Sequence, residues 1–129
     1  MSLPIGNAVH HIAVIGTNYE ASRHFYVDVL GFEVVREVWR KEKQDWKIDL
    51  ALAGCELELF ILPKAPARPS WPEAAGLRPL AFRLKSVAEA AARLNALGVA
   101  TEPIRQDPYT HCAMTFFKDP DGLPLEIHE

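Results

Sequence analysis

Cysteine is nearly absent from this 129-residue chain: Cys55 and Cys112 are the only two. Two thiols make no zinc-finger or Cys-x-x-Cys spacing, and no disulfide framework is expected of them. A chain of this length buries about two-thirds of its unfolded surface and stands without cross-links. A basic surplus is also lacking. The net charge is −3, so a nucleic-acid partner, which needs a basic face, is not expected. Long apolar runs are missing too. The longest, Leu50 to Leu62, is interrupted by Glu56 and Glu58, too short and too charged for a membrane span. The opening Met1-Ser2-Leu3-Pro4 has neither the basic region nor the apolar core of a signal peptide. With two free thiols, this gives the expectation of a cytoplasmic protein.

What is present is an ordinary globular composition, 49% hydrophobic and 24% charged, which excludes wholesale disorder. Val9 to Ile15 reads as a strand. Thr17-Asn18-Tyr19-Glu20 has the capping-box form, and the helix it starts carries Phe25, Tyr26, Val29 and Leu30 at helical spacing before Gly31. Phe32 to Trp39, Trp46 to Leu52 and Cys55 to Leu62 read as strands, with a charged turn from Lys41 to Asp45 and a tight one at Ala53-Gly54. Pro63 to Gly76 holds Pro63, Pro66, Pro69 and Pro72 with no apolar period, and reads as a linker or extended flap. The order then restarts. A strand over Leu77 to Leu84 precedes a second capping box, Ser86-Val87-Ala88-Glu89, whose helix stops at Gly98. Strands follow over Val99 to Arg105, Thr115 to Phe117 and, after the Asp119-Pro120-Asp121-Gly122 turn, Leu123 to His128.

The restart is a duplication. Gly54 and Gly122 are 68 residues apart, Glu58 and Glu126 also 68, Gly31 and Gly98 67, and Thr17 and Ser86 69. Each copy reads strand-helix-strand-strand-strand, and neither has enough apolar surface to stand alone, so a joint core is expected. The expected organisation is a first module over 8–62, the proline-rich linker over 63–76, and a second module over 77–129.

Strand alternation sorts the polar residues. His11 falls opposite the Ile12/Val14 face, Glu56, Glu58 and Phe60 share a face, and Glu126 shares one with His128. A Glu inside an apolar strand is costly to bury unless paired or bound to a cation, and the duplication puts one in each copy. His11, Glu58, Glu126 and the equivalent of His11 thus form a candidate site for a borderline divalent metal: Zn²⁺, Ni²⁺, Mn²⁺ or Fe²⁺. That fourth position is Pro79, which has no ligand atom, so water, substrate or another side chain has to complete the shell. His111 and His128 are candidate substitutes, each read first as a surface residue.

At these residues the chain resembles the vicinal-oxygen-chelate superfamily, which joins glyoxalase I, bleomycin-resistance proteins and extradiol dioxygenases. The resemblance rests on Val9-His10-His11-Ile12-Ala13-Val14, Phe25-Tyr26…Leu30-Gly31-Phe32, Glu58-Leu59 and Asp119-Pro120-Asp121-Gly122-Leu123-Pro124-Leu125-Glu126. Trp46-Lys47…Asp49-Leu50, Arg68-Pro69-Ser70, Gly76-Leu77-Arg78 and Asp107-Pro108-Tyr109-Thr110 are similar to small bacterial glyoxalase I-like proteins. It implies an α+β fold: two βαβββ modules paired into a curved mixed sheet around a central pocket, helices outside. It implies metal ligands at His11, Glu58, position 79 and Glu126. The third is commonly His and here is Pro79. A basic pair usual after the Asp-Pro-Tyr-Thr stretch is replaced by Cys112 and Ala113.

Two functions follow as expectations. One is a divalent-metal-dependent lyase or isomerase acting on a small 2-oxo or vicinal-dioxygen substrate. Glu126 is its ligand or base, Glu58 the pseudo-symmetric partner and His11 the ligand on the opposite strand. The other is a non-catalytic small-molecule binder of the bleomycin-resistance kind, its metal site decayed at Pro79, Cys112 and Ala113. In either, Arg40, Trp46 and Lys47 on the second and third strands and Arg105 in the second copy are candidate substrate contacts, with Trp46 an apolar wall and Lys47 an anion contact. Trp71 is read as a pocket cap or a packing residue. The superfamily builds its site within one chain or across a dimer, so a homodimer is among the assemblies the resemblance implies.

Overall fold

The computed structural model describes residues 5–129. The opening Met1 to Pro4, read above for signal-peptide character, lies outside the described residues. The chain divides into two compact units, one ending at Ala65 and the other running from Pro66 to Glu129. Among the described residues, no helix is long and apolar enough to cross a membrane.

In the first unit, strands β1 (His11–Gly16), β2 (Val34–Arg40), β3 (Asp45–Leu52) and β4 (Cys55–Ile61) form a four-stranded sheet in the order β1-β4-β3-β2. β1 runs parallel to β4 and the other pairs are antiparallel. The β3–β4 connection is tight because Gly54 takes φ +81°, a left-handed conformation glycine adopts without strain. Leu57, Leu59, Ile61, Ile48, Leu50 and Val14 alternate onto one face and are buried. Each contributes about 1.5–3 kcal/mol by leaving water.

The helix between β1 and β2 packs on that same face. It has one α-helical turn, α1 (Tyr19–Arg23), and continues as a π-helical turn over His24–Val29, burying Phe25 and Tyr26. Its cap differs from the sequence expectation. Asn18, not Thr17, is the N-cap, its side chain accepting the Ala21 N–H. Asn is at least as good a cap as Thr, and the capping-box spacing alone could not choose between neighbours.

The second unit repeats this plan. β5 (Leu80–Arg83), β6 (Arg105–Gln106), β7 (Ala113–Lys118) and β8 (Pro124–His128) are ordered β5-β8-β7-β6, with β5 parallel to β8. Helix α2 (Val87–Ala96) is capped by Ser86, whose hydroxyl accepts the Glu89 N–H. It ends in a Schellman turn. Gly98 takes φ +84°, its N–H reaching Asn95 O while Val99 N–H reaches Leu94 O. Val87, Ala91 and Leu94 are buried, as are Phe117, Leu125 and Ile127 on the strands.

Two strand expectations contract. The strand anticipated from Leu77 begins only at Leu80, because Pro79 has no N–H for the ladder. The strand anticipated over Val99 to Arg105 is reduced to Arg105–Gln106. The duplication survives in the hydrogen-bond register. Ala13 pairs with Glu58 and Ala81 with Glu126, both members of the second pair 68 residues beyond the first.

Candidate functional site

Each sheet has a second face, opposite its helix. On the first unit it is built by alternation from His11 and Ala13 of β1, Glu56, Glu58 and Phe60 of β4, Lys47 and Asp49 of β3, and Arg36 and Arg40 of β2. His11 Nδ1 stands 3.6 Å from Glu58 Oε2. The neighbouring His10 ring approaches His11 edge-on, with 2.9 Å between the two Nδ1 atoms.

The other charges form a connected network. Arg36 Nε donates to Asp49 Oδ2 at 3.0 Å, and Arg36 Nη2 to Glu56 Oε1 at 2.8 Å. Lys47 Nζ donates to Asp49 Oδ1 at 2.5 Å and lies 3.7 Å from Glu58 Oε1. Arg40 forks onto Asp45 at 2.7 and 2.6 Å, and its guanidinium carbon lies 4.7 Å from the centre of the Phe60 ring. The hydrogen bonds from Arg40 hold the Asp45 carboxyl below its ordinary range, and Arg40 is shifted upward in return. Paired hydrogen bonds of this kind orient both partners.

Trp46 is not brought to this face. Alternation along β3 sends it to the helix side, where it contacts Tyr19 at 5.0 Å and Trp39 at 5.6 Å between ring centres. The expectation of Trp46 as a wall beside Lys47 is therefore corrected. The two are adjacent in sequence and so point in opposite directions.

On the second unit, Glu126 lies between Ala81 of β5 and Phe116 of β7. Arg105 stacks over Phe116 at 4.8 Å. His128, on the same face as Glu126, pairs through Nε2 with Asp107 Oδ2 at 3.2 Å and donates from Nδ1 to the Glu129 carbonyl at 2.7 Å. These acceptors raise the His128 pKa, the Glu129 carbonyl contributing most. Asp107 is lowered, first by the Tyr109 N–H and then by His128 and the Thr110 N–H. His128, weighed as a substitute ligand, is thus engaged by Asp107. His111 lies in the adjoining turn with φ +63°, its N–H bonded to Asp107 O. Pro79 stands one residue before the first registered pair of β5, Leu80 with Leu125. Trp71 is exposed in the proline-rich segment.

Arg36 had no place among the sequence candidates, Glu56 was placed only by sharing a face with Glu58, and Asp49 only by the Trp46-Lys47…Asp49-Leu50 stretch. The alternation of Asp45, Lys47 and Asp49 was visible. The strand pairing that brings Arg36 opposite Asp49 was not.

Comparison with known proteins places this geometry in a family. The family model for the Glyoxalase/Bleomycin resistance protein/Dioxygenase superfamily matches residues 8–127, and the chain belongs to that superfamily. It is 53% identical over 122 residues to the uncharacterized protein YaeR of Escherichia coli (strain K12), covering 94% of this chain and 95% of that one. The uncharacterized protein YwkD of Bacillus subtilis (strain 168) is 50% identical over 123 residues, covering 95% and 96%. The crystal structure of a glyoxalase family protein from Enterococcus faecalis superposes with a TM-score of 0.90 at 55% identity, covering 95% of this chain and 98% of that one.

The superfamily implies a divalent metal. An imidazole and a carboxylate 3.6 Å apart on the helix-free face are two donors of the kind that suits a borderline divalent ion. Glu126 is the corresponding carboxylate of the second unit, and Pro79 carries no donor atom. Among the described residues, no group of three or more His, Cys, Asp or Glu side chains that could hold a metal ion is formed.

Proposed function

We propose that this protein is a divalent-metal-dependent lyase or isomerase of the glyoxalase type, acting on a small 2-oxo or vicinal-dioxygen substrate. The observation that carries the reading is the matched register of Glu58 and Glu126, each opposite an alanine on the helix-free face of its sheet, with His11 Nδ1 3.6 Å from Glu58. His11, Glu58 and Glu126 would hold the metal, one of Zn²⁺, Ni²⁺, Mn²⁺ or Fe²⁺, with water or substrate filling the places that Pro79 leaves. Such a metal supplies Lewis acidity to vicinal oxygens of the substrate.

The protein's own groups do the rest. Glu126 takes the substrate proton and returns it to the neighbouring carbon, the work of a positioned general base. Its neighbours favour that role. Ala81 leaves its flank open, and Phe116 gives it an apolar wall. Arg105, spread over the Phe116 ring, presents a cationic edge to an anionic part of the substrate, while the Arg40 fork is taken up by Asp45. A cytoplasmic setting and a homodimer belong to the same proposal.

The test is elemental analysis of purified protein together with turnover of 2-oxo aldehydes with and without thiol. About one divalent ion per site, and turnover that Glu126→Gln reduces at least about a hundredfold, are expected. Intact turnover in Glu126→Gln removes Glu126 from the role.

Pro79 supports a second reading, a small-molecule binder of the bleomycin-resistance kind without catalysis. It calls for ligand binding that is indifferent to chelator, and full metal occupancy would count against it.

A further inference from the structure

The duplication puts matching residues in matching cross-strand rows, and one row has diverged in charge. On the helix-free face of the first sheet, Ala13, Glu58, Asp49 and Arg36 face one another across β1, β4, β3 and β2. On the second sheet the same row reads Ala81, Glu126 and Phe116. Phe116 therefore stands where the first copy has Asp49. The Asp49 side chain is 3% exposed and accepts Arg36 Nε at 3.0 Å and Lys47 Nζ at 2.5 Å, so it neutralises the cations of its face from within. The second copy keeps cations and lacks that carboxylate. Arg105 lies over the Phe116 ring at 4.8 Å. Lys118, two residues along β7 and so on the same face, is exposed. Arg105 reaches Glu102 only at 4.0 Å, with both side chains 56% exposed, and a pair so solvated holds an arginine weakly. His128 and Asp107 are engaged with each other. Set against Glu126, the carboxylate of the row, Arg105 and Lys118 leave one positive charge unmatched.

We propose that this face of the second sheet binds a small organic carboxylate, held by Arg105 and Lys118 above Phe116. The ligand supplies from outside the charge that Asp49 supplies from within on the first copy. A guanidinium is a planar fork that matches a carboxylate, and laid on a ring it keeps its N–H edge free to donate. Lys118 adds a point charge on a flexible stem, which can follow the ligand. A monoanion fits, because one charge is left to match. That this ligand is also the substrate rests on the function proposed above, and in that case the substrate is a 2-oxo acid whose carboxylate docks beside Glu126.

NMR titration of the whole chain, freed of metal on a chelating resin, tests the site without turnover. The probes are pyruvate and its neutral methyl ester. Pyruvate is expected to shift amides of β6 and β7 and to bind at least about tenfold more tightly than the ester. Arg105→Gln and Lys118→Gln are each expected to weaken pyruvate about tenfold, while Arg93→Gln, at an exposed arginine of α2, leaves it unchanged. Phe116→Asp gives the second copy the carboxylate that Asp49 gives the first, and is expected to abolish binding by satisfying Arg105 internally. The proposal is overturned by equal binding of the ester, by pyruvate binding that survives Arg105→Gln, Lys118→Gln or Phe116→Asp unchanged, by equal weakening in Arg93→Gln, or by no response to pyruvate at all. Where thermal melting shows that Phe116→Asp does not fold, the ester and Arg105→Gln decide. Pyruvate binding without turnover of any 2-oxo compound, metal restored, keeps the carboxylate site and removes the lyase reading. Turnover without pyruvate binding keeps the lyase reading and removes the site.

Discussion

Glu58 and Glu126 occupy the same register position of their two sheets, each opposite an alanine on the parallel neighbouring strand, Ala13 for one and Ala81 for the other. An alanine leaves the carboxylate's flank open, and any larger side chain there would crowd it. Ala13→Leu is expected to weaken divalent-metal binding about tenfold with little change in melting temperature, since Ala13 is exposed and packs no core. Calorimetry and a thermal melt on the same sample separate the two effects.

Pro79 is the position where a donor is missing. Pro79→His supplies an imidazole and restores a strand N–H at the start of β5. Divalent-metal affinity is expected to rise by about tenfold or more. Unchanged affinity would show that position 79 does not face the donors, and the equivalence of His11 and residue 79 would fall.

The helix α2 cap is a test of stability alone. Ser86→Ala removes the acceptor for the Glu89 N–H and is expected to cost about 1 kcal/mol, or about 3–4 °C in melting temperature. Asn18→Ala carries the same expectation for the first helix, because Asn18 accepts the Ala21 N–H.

Glu37 gives a pH dependence with a defined sign. The Arg23 guanidinium, and after it the Tyr19 hydroxyl, lower its pKa from 4.5. Arg23 donates to it at 3.0 and 3.2 Å, and the Tyr19 hydroxyl donates to the same carboxylate. A depressed carboxyl stabilises the fold above its unfolded pKa, and the contribution disappears as pH falls through the folded value. Urea unfolding is therefore expected to show wild type more stable than Glu37→Gln at pH 7, with the gap narrowing below about pH 4.5. A gap independent of pH would mean that the ionised form adds nothing.

The sequence by itself determined the duplication, the βαβββ order of each copy, the glycine stops at Gly31 and Gly98, and the facing of His11, Glu58 and Glu126. All of these are local or periodic. An offset of 68 is a count along the chain, a capping box spans four residues, and strand alternation has a period of two. Tertiary structure decided what depends on pairing between distant segments. It set Arg36 against Asp49 and Lys47 against Glu58, joined His128 to Asp107, and covered the Trp46 side of β3 with a helix. Strand register is fixed by hydrophobic burial on one face and by turn geometry, and no residue carries a mark of its partner. A charge therefore shows in the sequence, and what neutralises it shows only once the sheet has formed.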